Sequence, residues 1–194
     1  LEDRHINISR AKYSTDYPCS FMFVASMNPC PCGYYGDPTH RCVCTPGQIQ
    51  RYMNKISGPL LDRIDIQCEI SPVPFQDISK AAPGEPSAKI RERVIKAREV
   101  QAERFKDYKG IHCNAQMTER MIHQFAEPDE QGIELLRMAM EKLSLSARAY
   151  NRILKVARTI ADLAGSEQIK PDHIAEAVGY RTLDRGDWAE RGHL

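Results

Sequence analysis

Four of the seven cysteines lie within fifteen residues, and their spacing suits a metal ion. They form two C-x-C pairs, Cys30 with Cys32 and Cys42 with Cys44, and nine residues separate the pairs. Two pairs of thiolates match the tetrahedral coordination that zinc prefers, and His40 could replace one of them. Four protein ligands leave no open position, so this zinc would be structural. The alternative is a loop of four reduced thiols, which oxidise readily where they are exposed.

The composition is that of a globular protein without a strong charge bias. The 194 residues carry 27 Lys and Arg against 26 Asp and Glu, which argues against a histone-type nucleic-acid binder but allows a local basic patch. The longest apolar run, residues 21–27, is far shorter than the roughly 20 residues of a membrane span. Cysteines without an export signal favour a reducing compartment, so we expect a cytoplasmic protein with no membrane partner.

The chain reads as an α/β part followed by an all-α part. Residues 1–78 are rich in β-branched and aromatic residues, and they predict strands around Ile6 and Ile8, over Phe21–Ala25 and over Ile64–Ile70. Residues 79–88 contain Pro and Gly and predict a linker. Within 89–194, the periodicity predicts helices over Lys89–Lys109, Thr118–Phe125, Glu130–Leu143 and Ser146–Leu163, and another that opens at Pro171.

The chain lacks the motifs that bind the phosphates of a nucleotide. A P-loop needs Gly-Lys followed by Ser or Thr, and none of the eleven glycines precedes a lysine. No apolar strand ends in adjacent acidic residues of the Walker B kind. We therefore expect these residues alone to bind nucleotide weakly and to be inactive as an ATPase.

Three segments nevertheless occur in a specific order, namely residues 23–29 (FVASMNP), 57–65 (SGPLLDRID) and 145–152 (LSARAYNR). They resemble sensor 1, the arginine finger and sensor 2 of AAA+ ATPases, and the whole chain is similar to the magnesium-chelatase-like family of ComM and YifB. The resemblance implies the C-terminal part of an AAA+ P-loop ATPase core, cut after Walker B, followed by a helical lid. It also implies ATP and Mg²⁺ as cofactors of the whole protein.

The resemblance assigns roles to four residues, each of which also has a simpler interpretation. Asn28 would be sensor 1, orienting water or contacting the γ-phosphate, but could be a turn residue. Arg63 would be the arginine finger for a neighbouring subunit, but could form a surface ion pair. Arg148 would be sensor 2, with Arg152 as the second candidate, but both could lie on a solvated helix face.

The resemblance also implies a DNA contact before sensor 1. Related helicases carry a hairpin there whose lysine touches DNA, and Lys12 matches by position, with Arg10 close by; an ordinary exposed lysine is the alternative. The implied function is ATP-driven DNA translocation or branch migration by a homo-oligomeric ring, a hexamer. The alternatives are a metal-chelatase or protein-remodelling ATPase without a nucleic-acid substrate, and a zinc-binding interaction module.

Overall fold

The computed structural model describes residues 4–70, 73, 77 and 84–181. Contacts group the chain into two compact units that meet in sequence between Arg63 and Ile64, and each unit is described by itself. The linker expected at 79–88 lies partly outside the described residues. The division of the chain at that linker stays a prediction.

The first unit opens with a β-hairpin. Strands β1 (His5–Arg10) and β2 (Tyr13–Pro18) pair antiparallel, with His5 opposite Pro18 and Arg10 opposite Tyr13. The turn consists of Ala11 and Lys12, where Ala11 has a positive φ of 28°. The strand predicted around Ile6 and Ile8 is therefore confirmed.

Two helices follow residues 30–44, which we call the cysteine loop. Helix α1 (Pro46–Met53) begins at a capping box, in which the Thr45 hydroxyl accepts from the Gln48 N–H at 3.3 Å. The Gln48 side chain in turn accepts from the Thr45 N–H at 2.8 Å. Helix α2 (Gly58–Leu61) is a single turn that ends just before Arg63. The sequence analysis predicted neither helix.

The strands predicted over Phe21–Ala25 and Ile64–Ile70 are wrong for this structure. Both segments lack regular secondary structure, and Met22 and Val24 are 85% and 79% exposed. A strand needs a neighbour that pairs with its backbone, and among the described residues only β1 and β2 form a sheet, besides an isolated bridge between Pro128 and Ile169. The apolar run therefore marks a segment suited to a sheet, while the described part of the chain supplies no partner strand.

The second unit is helical. Its elements are α3 (Ser87–Arg104), a 3₁₀ turn (Asn114–Gln116), α4 (Glu119–Phe125), α5 (Glu130–Leu143), α6 (Ala147–Leu163) and α7 (Pro171–Gly179). These helices confirm the predicted ones, except that α3 ends five residues early. Phe105 leaves the helix there and is buried against Tyr108 and Phe125, with edge-to-face ring contacts.

Helix α6 lies at the centre of this unit. Its start is fixed by Ser146, whose hydroxyl accepts from the Ala149 N–H at 3.1 Å. The helix packs against α3, α4, α7 and the 3₁₀ turn. The largest aliphatic side chains buried in this core come from four helices and from the connection between α6 and α7: Ile122, Leu136, Ile153, Leu154, Ile174 and Ile169.

Buried charges cross this core and tie α3 to α6. The carboxylate of Asp162 accepts two hydrogen bonds from Arg104, at 2.5 and 2.8 Å, and one from Asn114 at 2.8 Å. Arg158 donates to the same carboxylate at 3.0 Å. Burial alone would raise the pKa of Asp162, but the hydrogen bonds and the two guanidinium charges lower it below the usual value.

Candidate metal centre and nucleotide-contact residues

The four clustered cysteines meet in space. The sulfur of Cys30 is 3.3 Å from that of Cys32 and 3.7 Å from that of Cys42, and Cys32 and Cys42 are 3.5 Å apart. All four sulfurs, including Cys44, lie within 4.8 Å of one another. Sulfurs about 2.3 Å from a tetrahedral zinc lie about 3.8 Å from each other, so this cluster could bind zinc.

Two tight turns give the cysteine loop its shape. The Gly33 N–H donates to the Cys30 carbonyl at 3.0 Å, and Gly33 has a positive φ of 86° that favours glycine. A second turn places Gly36 at φ 81°. Cys30 is fully buried, whereas the other three cysteines are partly exposed. His40, the alternative ligand, stacks on Tyr34 instead.

Cys32 ionises more readily than Cys42 and Cys44. Backbone hydrogen bonds from Tyr34 and Val43 lower the pKa of Cys32 to about 6, so its thiolate dominates at neutral pH. A backbone hydrogen bond from Cys44 lowers the pKa of Cys42, but burial and the neighbouring sulfurs outweigh it and raise that pKa to about 12. Neighbouring thiolates repel each other. A divalent cation offsets this repulsion, because metal binding favours the thiolate form of every ligand.

Asn28 and Arg63 both belong to the first unit. Asn28 is exposed and lies two residues before Cys30, directly after the apolar run 21–27. Arg63 is half-buried, and its guanidinium donates to the Pro59 carbonyl at 2.8 Å, across the turn of α2. This contact holds the guanidinium end of the Arg63 side chain next to α2, so the side chain would have to leave the Pro59 carbonyl to reach a neighbouring subunit. The structure therefore gives both residues a defined place, while their roles stay predictions.

Arg148 and Arg152 lie one turn apart on α6 but differ in their surroundings. Arg148 is exposed in the first turn, where the helix dipole favours an anion. Arg152 is largely buried and forms an ion pair with Asp65. The sequence analysis missed this pairing, because the two residues are 87 positions apart. The ion pair makes Arg148 the more accessible of the two to a phosphate group.

The segment around Asp65 is held against the helical unit at two further points. The Gln67 N–H donates to the Tyr180 carbonyl at 2.8 Å. Arg181 is fully buried and donates to the Ile64 carbonyl at 2.6 Å. Together with the Asp65–Arg152 ion pair, these contacts hold residues 64–67 against the helices without a strand ladder.

The hairpin places two basic residues beside its turn. Lys12 is in the turn itself and Arg10 ends β1, and both are exposed. A ladder of side chains stiffens the strands below them: Asn7 donates to Asp16 at 2.8 Å and to Ser14 at 3.2 Å. The hairpin could therefore present a lysine to an anionic partner.

Two protein-family models together match nearly the whole chain. Residues 1–78 match the model described as magnesium chelatase, subunit ChlI, and residues 84–181 match the model of the ChlI C-terminal part. The chain belongs to the magnesium-chelatase-like family of ComM and YifB. It is 43% identical over 186 residues to competence protein ComM of Haemophilus influenzae and 42% identical over 186 residues to YifB of Escherichia coli.

These alignments cover most of this chain but a smaller share of its relatives. The two matches cover 95% of this chain and 35% of each relative. An uncharacterized protein of Mycobacterium tuberculosis is 36% identical over 181 residues, which are 93% of this chain and 35% of that protein. The chain thus spans about a third of the length of these curated relatives.

Within the part of the chain that the structure describes, the helices are too short or too polar to span a membrane.

Proposed function

We propose that this chain is the C-terminal part of the AAA+ core, with its helical lid, of a cytoplasmic ring-forming ATPase that moves on DNA. The observation that carries the proposal is the stiffened hairpin with Lys12 in its turn, in a chain 43% identical to a competence protein. A lysine at a hairpin turn can contact phosphates whatever the base sequence, as a translocating motor requires.

The residues of the site take distinct parts in this proposal. Asn28 contacts the γ-phosphate or its attacking water, and Arg63 reaches the nucleotide of the next subunit in a homo-oligomeric ring, a hexamer. Arg148 supplies the lid contact, since Arg152 is engaged by Asp65. ATP and Mg²⁺ are bound mainly by P-loop and Walker B residues, which this chain does not contain. The four cysteines hold one structural zinc ion.

The test compares hydrolysis by the whole protein with and without DNA. We expect DNA to stimulate ATP hydrolysis and Lys12→Ala to reduce that stimulation several-fold. Loss of one phosphate contact should also lower the salt slope of DNA binding by about one unit. Lys55→Ala is the matched control, because Lys55 is an exposed lysine of the same unit, at the end of α1. It should retain the stimulation.

A second candidate is a metal-chelatase subunit, which the description of the matched family favours. Hydrolysis that responds to a tetrapyrrole and is unaffected by DNA would support it. A response to neither ligand would favour a protein-remodelling ATPase. If the whole protein lacks a P-loop and does not bind ATP, the zinc-binding interaction module is the better description.

A further inference from the structure

The loop between the two cysteine pairs carries an exposed pair of stacked rings. The rings of Tyr34 and His40 lie 4.9 Å apart between centroids and 25° from parallel. Tyr34 is 43% exposed, and the His40 side chain is 62% exposed. Arg41 follows directly and is exposed as well. We call these three residues the stacking platform.

Hydrogen bonds within the loop order the platform in advance. The Asp37 carboxylate, which is only 10% exposed, accepts from the Thr39 N–H and hydroxyl at 2.7 Å each and from the His40 N–H at 3.0 Å. The Thr39 hydroxyl also lies 2.8 Å from His40 Nδ1. Because the His40 side chain is already held in place, a ligand that stacks on the rings immobilises little more of the protein, and the entropic cost of binding is small.

An exposed arginine gives the outer face of the loop a group for an anion. Residues 1–63 carry seven Arg and Lys against five Asp and Glu, and a zinc ion with four thiolates adds two negative charges, so an anion would be attracted by Arg41 itself and not by the net charge of the unit. Asp37 is the acidic residue of the cysteine loop, and its carboxylate is turned inward by its hydrogen bonds. The outer face of the loop thus combines flat rings with an arginine.

We propose that the stacking platform binds single-stranded DNA, with a base on the Tyr34–His40 pair and a phosphate on Arg41. This inference rests on the proposed DNA-translocating function and adds a contact separate from the Lys12 turn. Unpaired bases expose their faces to aromatic side chains, whereas duplex bases are stacked on each other. The platform therefore favours single strands over duplex.

The test measures binding of the whole protein, with zinc present, to a labelled oligothymidine and to a labelled duplex. Base stacking is worth about 1–3 kcal/mol, so we expect Tyr34→Leu with His40→Leu to weaken single-strand binding about tenfold. Duplex binding should change by less than about threefold. The Tyr34→Phe, His40→Phe protein should keep its single-strand affinity, since both rings are retained.

Matched controls separate stacking from charge and from folding. Arg41→Gln should weaken binding of both DNA forms, whereas Arg51→Gln, which removes the same charge from α1, should leave both within about twofold. One zinc per chain and an unchanged unfolding temperature show that the leucine variant is folded. If that variant misfolds, the comparison of Arg41→Gln with Arg51→Gln tests the platform by itself.

The outcomes distinguish this inference from the proposed function. Unchanged single-strand affinity in a folded leucine variant, or equal effects of Arg41→Gln and Arg51→Gln, overturns the platform even if DNA stimulates hydrolysis. A tenfold loss of affinity without any DNA-stimulated hydrolysis supports the platform and contradicts the translocation function. Tighter binding of oligouridine than of oligothymidine overturns the assignment to DNA.

Discussion

The sulfurs of the cysteine cluster are close enough for one ion to contact all four. We expect elemental analysis of protein purified without chelator to show about one zinc per chain. Cys30→Ser removes the buried ligand and should reduce this zinc strongly. Cys68→Ser is the control, since Cys68 is an exposed cysteine outside the cluster and its loss should leave the zinc in place. A folded, metal-free protein with four titratable thiols in this loop would contradict the zinc site.

Cys32 should be the most reactive thiol of the cluster once metal is removed. Its pKa is lowered to about 6, so the thiolate is present at neutral pH, where an ordinary cysteine with a pKa of about 8.5 is mostly protonated. Alkylation of Cys32 should therefore rise through about pH 6 and level off above it. Mass spectrometry after a short pulse of iodoacetamide gives the order of modification, and zinc should protect Cys32 at every pH at which it stays bound.

At the scale of residues, the sequence predicted a local contact but not a long-range one. The two C-x-C pairs place four ligands close together through local turns, so their spacing alone predicted the cluster. The Asp65–Arg152 ion pair joins residues 87 positions apart and depends on how the segment around Asp65 lies on α6. No local pattern carries that information, and the sequence analysis gave Arg152 either a nucleotide role or a place on a solvated helix face.

The helices of the second unit were predicted well, whereas two of the three predicted strands and the short helices α1 and α2 were not. A helix satisfies its own backbone hydrogen bonds, so the spacing of its apolar residues is enough to identify α5, α6 and α7. A strand is completed by a neighbour, and the run Phe21–Ala25 has none among the described residues. The early end of α3 coincides with Phe105, which leaves the helix and is buried in the core.

The buried ion network should dominate the stability of the helical unit. Asp162→Asn leaves Arg104 and Arg158 buried without a counter-charge, and breaking a buried pair in this way costs about 3–5 kcal/mol. Denaturant unfolding measures this loss. Glu141→Gln is the control, because the Arg137–Glu141 pair is exposed and screened by solvent, so its loss should change the stability little. Equal stability of the two variants would contradict the structural role of the network.

The same network predicts how stability responds to acid. Folding lowers the pKa of Asp162, so its contribution is complete above the unfolded pKa of about 3.9. The contribution is lost as the pH falls from there through the still lower pKa of the folded state. The difference in unfolding free energy between the native protein and Asp162→Asn should therefore shrink below about pH 4. A constant difference down to pH 2 would contradict the lowered pKa.

At the scale of the whole protein, Arg63 gives the strictest test of a ring. A finger stabilises the charge that develops on the γ-phosphate, which is worth about 10³-fold or more in rate. Arg63→Ala should therefore abolish ATP hydrolysis while ATP affinity stays within a few-fold, because the lost interaction belongs to the transition state. Hydrolysis and equilibrium binding of a fluorescent ATP analogue, both measured on the whole protein, check the two parts separately.

Mixed rings then show whether Arg63 serves a neighbouring subunit. A P-loop variant cannot hydrolyse ATP but still offers Arg63, so mixing it with the Arg63→Ala protein should restore part of the activity. Arg63→Lys should remain inactive, because a point charge cannot form the two parallel hydrogen bonds of a guanidinium. The hydrogen bond from Arg63 to the Pro59 carbonyl is worth about 1 kcal/mol, and denaturant unfolding of Arg63→Ala measures the whole loss of stability. Intact turnover in that variant, or an unfolding loss well above this value, would make Arg63 a structural residue of α2.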